Sequence, residues 1–169
     1  MKDLIVLCLI SLLSSCWPSS VGFKDTGGMP SEWQSFHLTT LNINAPNCPL
    51  YFGAQMSEKI KDGIQNNTRL SLATKKELAE LKIEGTINSY QVNPIAIQSG
   101  DNASKNRLTI SILFTIDANK PKEETFTLNS TRFADFDSKT NLSEVEAELL
   151  NTISEQVVQD VINKLMSNW

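Results

Sequence analysis

The chain has 169 residues, 40% of them apolar, and a formal net charge of −4. That length and apolar share suit one domain around one core, and the lysines and arginines are dispersed rather than gathered into a stripe, which argues against a nucleic-acid-binding face. Of the three cysteines, Cys8 lies inside an N-terminal apolar run, so Cys16 and Cys48 are the only pair left to a mature protein. That number excludes a cysteine-based metal cluster.

Lys2 and the free amine make a positive start, residues 4–13 are apolar apart from Ser11, and the small Ser14 and Ser15 precede Cys16. This is the layout of a secretory signal. A transmembrane helix needs ~20 apolar residues to cross ~30 Å of hydrocarbon, and this run is too short. Leu13-Ser14-Ser15-Cys16 resembles a bacterial lipobox, in which small residues admit a peptidase and the thiol takes a diacylglyceryl group. The expected organisation is a signal peptide over residues 1–15, a lipid-anchored tether over 16–35 and one domain over 36–169. Each buried CH₂ contributes ~0.8 kcal/mol, so two or three acyl chains hold a protein on a bilayer almost permanently. The competing reading is ordinary secretory cleavage nearby, with Cys16 a thiol that pairs with Cys48. Four Asn-x-Ser/Thr triplets, at Asn66, Asn102, Asn129 and Asn141, are incidental in a chain this rich in those residues.

Gly27, Gly28, Pro18 and Pro30 keep the tether irregular. A strand over residues 36–43 follows, with Phe36 and Leu38, then Leu41 and Ile43, facing inward after a phase slip. Asn47-Cys48-Pro49 introduces a helix whose stripe is Phe52, Met56, Ile60 and Ile64. Leu70 and Leu72 suggest a short edge strand. Leu81, Ile83, Gly85 and Ile87 alternate strictly, and Tyr90 and Val92 continue in the opposite phase, which predicts a bulge near Asn88-Ser89. Leu108, Ile110, Ile112, Phe114 and Ile116 form the cleanest strand, and Phe126 and Leu128 lead a partner ending near Phe133. Gly100-Asp101-Asn102 and Asn119-Lys120-Pro121 are the turns of the two hairpins. Ser143 with Glu146 reads as a capping box, opening a long helix with Leu142, Val145, Leu149, Ile153, Val157, Val161 and Leu165 on one stripe. The predicted fold is α+β, in the order β-α-β-β-β-α: a mixed, mostly antiparallel sheet of three to five strands with two helices on one face. The other face needs polar residues or a partner.

The chain has one histidine, His37, in the first strand, and no G-x-S-x-G, H-E-x-x-H, C-x-x-C or phosphate loop. The familiar routes to catalysis, to a bound metal and to a cofactor therefore have no trace here. Asp135 and Asp137 project the same way from an extended chain, which is how two carboxylates share a cation or a proton. The plainer reading is a strand closing into a polar turn, with Phe133 and Phe136 plugging the core edge. Lys105 and Arg107 at the mouth of the best strand, and Lys120 and Lys122 near its far turn, are candidates for anionic head groups or are solvated strand ends that blunt aggregation.

Taken together, several stretches resemble the LptE-like lipopolysaccharide-assembly lipoproteins. They are Ile83-Glu84-Gly85 continuing into Ser89-Tyr90-Gln91-Val92-Asn93-Pro94-Ile95-Ala96-Ile97, Asn106-Arg107-Leu108-Thr109-Ile110, Arg132-Phe133-Ala134-Asp135-Phe136-Asp137 and the terminal Asn168-Trp169. The resemblance implies a non-enzymatic outer-membrane lipoprotein, lipidated at Cys16, that plugs and assembles an LptD-like β-barrel lipopolysaccharide translocon. It implies contact with lipopolysaccharide through basic residues, for which Lys105 and Arg107 are best placed, and a domain facing the periplasm and the barrel lumen. The reading from another class is a stand-alone lipoprotein holding a small ligand or metal through Asp135 and Asp137.

Overall fold

The computed structural model describes residues 28–95 and 104–167. The expected signal peptide, Cys16, the turn at Gly100-Asp101-Asn102 and Trp169 lie outside them. The described elements are β1 (Ser35–Leu38), β2 (Asn42–Ile43), α1 (Phe52–Asn67), β3 (Ser71–Leu72), β4 (Leu81–Ile95), β5 (Lys105–Ala118), β6 (Glu124–Asp137) and α2 (Leu142–Met166). The sheet runs β3-β1-β4-β5-β6, with β2 also paired to β4. β4, β5 and β6 form the antiparallel meander predicted from their alternation. The N-terminal strands instead run parallel to β4, and β3 runs parallel to β1. The α+β expectation holds, with a mixed sheet.

Both helices cover one face. Phe52, Met56, Ile60 and Ile64 of α1 are fully buried against Leu81, Ile83 and Ile87 of β4 and the five apolar residues of β5 from Leu108 to Ile116. α2 adds Leu150, Ile153, Val157, Val161 and Leu165. Met29 and Trp33, in the stretch read as a tether, also join this core. α1 and α2 pack closely because Gly63 has no side chain: a Cβ there would lie 2.3 Å from Val158 Cγ1.

The predicted bulge is present. Ile87 faces Ile112, but Ser89 faces Ser111, so Asn88 is the extra residue and Tyr90 returns to the covered face. Several expectations are corrected. β6 continues to Asp137 rather than ending near Phe133, because its covered face carries Ser130 and Arg132, which hide the alternation, before resuming with Ala134 and Phe136. Phe136 is buried, whereas Phe133 stands on the opposite face, 45% exposed. The helix cap also differs: Asn141 precedes the first helical residue and its amide donates to Glu144 Oε1 at 2.8 Å. Glu146 is taken instead by the hydroxyl of Tyr90.

The first strand breaks in two at a defined point. The amide of Leu41 donates not to a strand but to the buried Ser57 Oγ of α1 at 2.9 Å, and that hydroxyl donates to Gly53 O at 2.6 Å. Leu41 is thereby pressed between two glycines. A Cβ on Gly53 would meet Leu41 O at 2.7 Å, and one on Gly85 would meet Leu41 Cγ at 2.9 Å. The clash at Gly53 is with backbone, which no rotamer change relieves. Gly53→Ala is expected to destabilise the domain by about 1–3 kcal/mol despite alanine's better helix propensity. Thermal unfolding followed by circular dichroism checks this, and an unchanged or raised Tm contradicts it.

Candidate functional site

With the helices on one side, the other face of β4–β6 is open and polar. Its rows follow from the register: Ser89, Ser111 and Thr131, then Gln91, Thr109 and Phe133, then Asn93, Arg107 and Asp135. Residues alternate across a strand, so the hydroxyls of Ser111 and Thr109 face away from the buried Leu108, Ile110 and Ile112. Ser111 and Thr131 hydrogen-bond across the strands at 2.9 Å. The large apolar side chains exposed on this face are Phe133 of β6 and Leu113 of β5. The face predicted to need polar residues or a partner thus carries polar residues.

Arg107 is fixed in this face. Its Nε and Nη2 donate to Asp135 Oδ1 and Oδ2 at 2.7 and 2.9 Å, and its guanidinium carbon lies 3.6 Å from the centroid of the Phe133 ring. These hydrogen bonds hold the Asp135 carboxyl below the usual carboxylate range. Lys105 stands directly opposite Asp137 at the strand end, exposed. The sequence singled out Asp135 with Asp137 and, separately, Lys105 with Arg107; the β5–β6 register brings the two pairs together at one end of one face.

It does not make them a metal centre. Asp135 is occupied by Arg107, Asp137 Oδ1 accepts the Lys139 amide at 2.8 Å, and no group of three or more metal-ligating side chains occurs among the described residues. A divalent cation wants six or more oxygens, which this pair does not approach. At the far turn, Lys120 Nζ lies 3.7 Å from Glu80 Oε1. His37 has the structural setting expected of it, with Nδ1 at 3.1 Å from Ala73 O between β1 and β3. A hollow of about 280 Å³ near the helix ends is lined by Gly28, Met29, Asn67, Thr68, Arg69 and Met166. Its one ionisable group, Arg69, is engaged by the carbonyls of Met29 and Pro30, so it holds no acid–base pair.

Two polar clusters under the helices escaped the sequence reading. Asp160 of α2 accepts bonds from Ser130 Oγ at 2.5 Å and from Arg132 Nε at 2.7 Å, with Arg132 Nη2 on its other oxygen. The available signal was the position of Asp160 between Val157 and Val161, with two polar residues, Ser130 and Arg132, on the covered face of β6. At the other end of α2, the Tyr90 hydroxyl meets Glu146 beside the buried Cys48. Burial first, then the Glu146 hydrogen bond, pushes the Tyr90 phenol well above its usual range. Burial first, then the Glu146 charge, pushes the Cys48 thiol up to about 11.

The sequence profile of the LptE family, described as lipopolysaccharide-assembly, matches residues 38–165. The chain belongs to the LptE family. No curated relative matches it in sequence. Solved structures share the fold at low identity. A hypothetical protein from Chlamydia trachomatis is 10% identical over 80% of this chain and 99% of its own, with a TM-score of 0.51. A putative neuraminyllactose-binding hemagglutinin homolog from Helicobacter pylori is 12% identical, covering 82% of this chain and 88% of its own, with a TM-score of 0.51. A protein from Xanthomonas campestris is 9% identical over 79% of this chain and 84% of its own, also at 0.51. The LptE-family domain and these three structures have one α+β architecture in common.

The Asp160 cluster joins β6 to α2 and yields a pH signature. Burial acts most strongly on this carboxyl and raises its pKa, but the bonds from Arg132 and Ser130 and the guanidinium charge outweigh it, leaving the pKa lowered. A lowered folded-state pKa contributes stability that is present above the unfolded value of about 3.9 and lost as pH falls through the folded value. Asp160→Asn is expected to cost about 1–2 kcal/mol at pH 7, the half-exposed Arg132 regaining water. Its deficit against the wild type should shrink on acidification below about pH 4. Urea titrations at pH 7 and pH 3 measure both, and a deficit that is constant with pH rules the linkage out.

Proposed function

We propose that the protein is an outer-membrane lipoprotein, anchored through acylated Cys16, that acts as plug and assembly partner of an LptD-like β-barrel translocon and so supports lipopolysaccharide transport to the cell surface. The observation that carries this is the LptE-family match, which spans residues 38–165 and so almost the whole described fold. Three features support it. No helix among the described residues is long and apolar enough to cross a membrane, in keeping with attachment by acyl chains. The open sheet face is a broad surface of hydroxyls and amides, which suits contact with the polar lumen of a barrel. Two arginines of the sheet are tied to structural partners, Arg107 to Asp135 and Arg132 to Asp160, which suits a subunit that works by fit.

Lys105 and Arg107 are the residues proposed to meet lipopolysaccharide phosphates. Lys105 is the more available of the two, since Arg107 already spends its charge on Asp135.

Native protein extracted in detergent should co-isolate with a β-barrel protein of much larger mass, and mass spectrometry of its mature N-terminus should find acyl chains on Cys16. Lys105→Ala should weaken binding of purified lipopolysaccharide without lowering Tm. Recovery of the protein alone with an unmodified Cys16 thiol contradicts the proposal.

A further inference from the structure

The two edges of the sheet are built differently. One ends in β3, only two residues long, Ser71–Leu72. The other ends in β6, fourteen residues without a proline, a lysine or a register shift against β5. Natural sheets blunt their edges by shortness, by lysine or proline, or by bulges, because a long bare edge is a template for another strand. One edge uses the first device, and β6 uses none of them.

The hydrogen-bond parity says which groups of β6 have no strand partner among the described residues. Ser138 N donates to Ser104 O, and Asn119 N donates to Glu80 O. Paired residues in an antiparallel ladder alternate between exchanging both bonds and exchanging none. The even-numbered residues of β5 therefore bond to β6 and the odd-numbered ones to β4. By the same register, Thr125, Thr127, Asn129, Thr131, Phe133 and Asp135 turn their N–H and C=O groups away from β5. Consistent with this, the Phe133 carbonyl is reached by Gln156 of α2, at a long 3.5 Å. Arg132, an inward charge that would otherwise obstruct an added strand, is folded onto Asp160.

We propose that this edge receives an extended segment of another protein, added antiparallel or parallel to β6 as a further strand. The segment carries hydroxyl or amide side chains beside Thr127 and Asn129, an apolar one beside the exposed Phe133, and a basic residue at the end where Asp117, Glu123 and Glu124 line one hollow. A second copy of the chain meets this pattern poorly: outward residues must face outward residues, and full-length antiparallel self-pairing about Thr131 sets Phe133 beside Asn129 rather than beside an apolar side chain. The inference rests on the assembly role proposed above for the identity of the partner, and assigns that role a surface.

The test uses native full-length protein in detergent extracts, with a photo-crosslinking residue placed singly at Thr127, Asn129 or Thr131, and at Leu72 on the blunt edge. Crosslinks from the three β6 positions to one barrel-sized protein, and none from Leu72, are expected. Asn129→Pro removes an outward donor without taking a β5 bond and should lower co-isolation about tenfold or more. Thr127→Lys, which leaves the backbone intact, should lower it in the same direction at unchanged Tm. Hydrogen exchange at the Thr127 and Asn129 amides should be fast in the free protein and slow in the complex. If the complex forms but crosslinks only elsewhere, or those amides stay fast, the strand-addition proposal falls while the assembly role stands. If β6 crosslinks to itself, a second copy is the occupant and the proposal is likewise overturned. If no barrel protein co-isolates with the unsubstituted protein, the assembly role itself fails, and this assignment with it.

Discussion

Leu41 is held between the backbone of a helix and the middle of a sheet, with Gly53 on one side and Gly85 on the other. Much of the architecture depends on that seat. Because the Leu41 amide is satisfied by Ser57, the chain can leave the ladder at Thr39, bury a leucine and rejoin at Asn42 without an orphaned donor. The detour lets two short strands run parallel to β4 in succession, β1 against Leu81–Ile83 and β2 against Thr86–Ile87. It also brings α1 close enough for its Phe52, Met56, Ile60 and Ile64 stripe to seal the sheet. Tight spacing at this point sets how near α1 sits to the sheet, and the close Gly63–Val158 approach sets how near the two helices sit to each other.

The meander was legible because its strands are long and their covered faces nearly pure. Five consecutive inward positions of β5, from Leu108 to Ile116, are apolar, and even the bulge at Asn88 announced itself as a change of phase. The helices were legible for the same reason, at a period of four. What stayed hidden depends on partners distant in sequence. Parallel pairing of β1 and β2 leaves no local trace, because two- and four-residue strands carry too little pattern to specify a neighbour. The end of β6 was obscured by Ser130 and Arg132, polar residues facing inward because Asp160, thirty and twenty-eight residues away, neutralises them. Glu146 looked like a capping residue until Tyr90, fifty-six residues earlier, claimed it.

The candidate site was legible as a set of positions but not as a set of interactions. An extended chain puts Asp135 and Asp137 on one side, and Arg107 stands at the mouth of the cleanest strand; that the three share a face follows from the pairing of β5 with β6. That Arg107 both grips Asp135 and lies over Phe133 requires the β5–β6 register, which only the fold supplies. The same register turns two aspartates that could pass for cation ligands into one half of an ion pair and one turn-stabilising acceptor.

The enclosure of Cys48 has a chemical consequence for how the chain matures. Disulfides form and reshuffle through attack by a thiolate, at rates set by its ionised fraction and its access to the other sulfur. A thiol held near 11, 8% exposed and close to the Glu146 carboxylate, supplies almost no thiolate at neutral pH. Burial and the raised pKa therefore act in the same direction, slowing any exchange at this sulfur once the domain has folded.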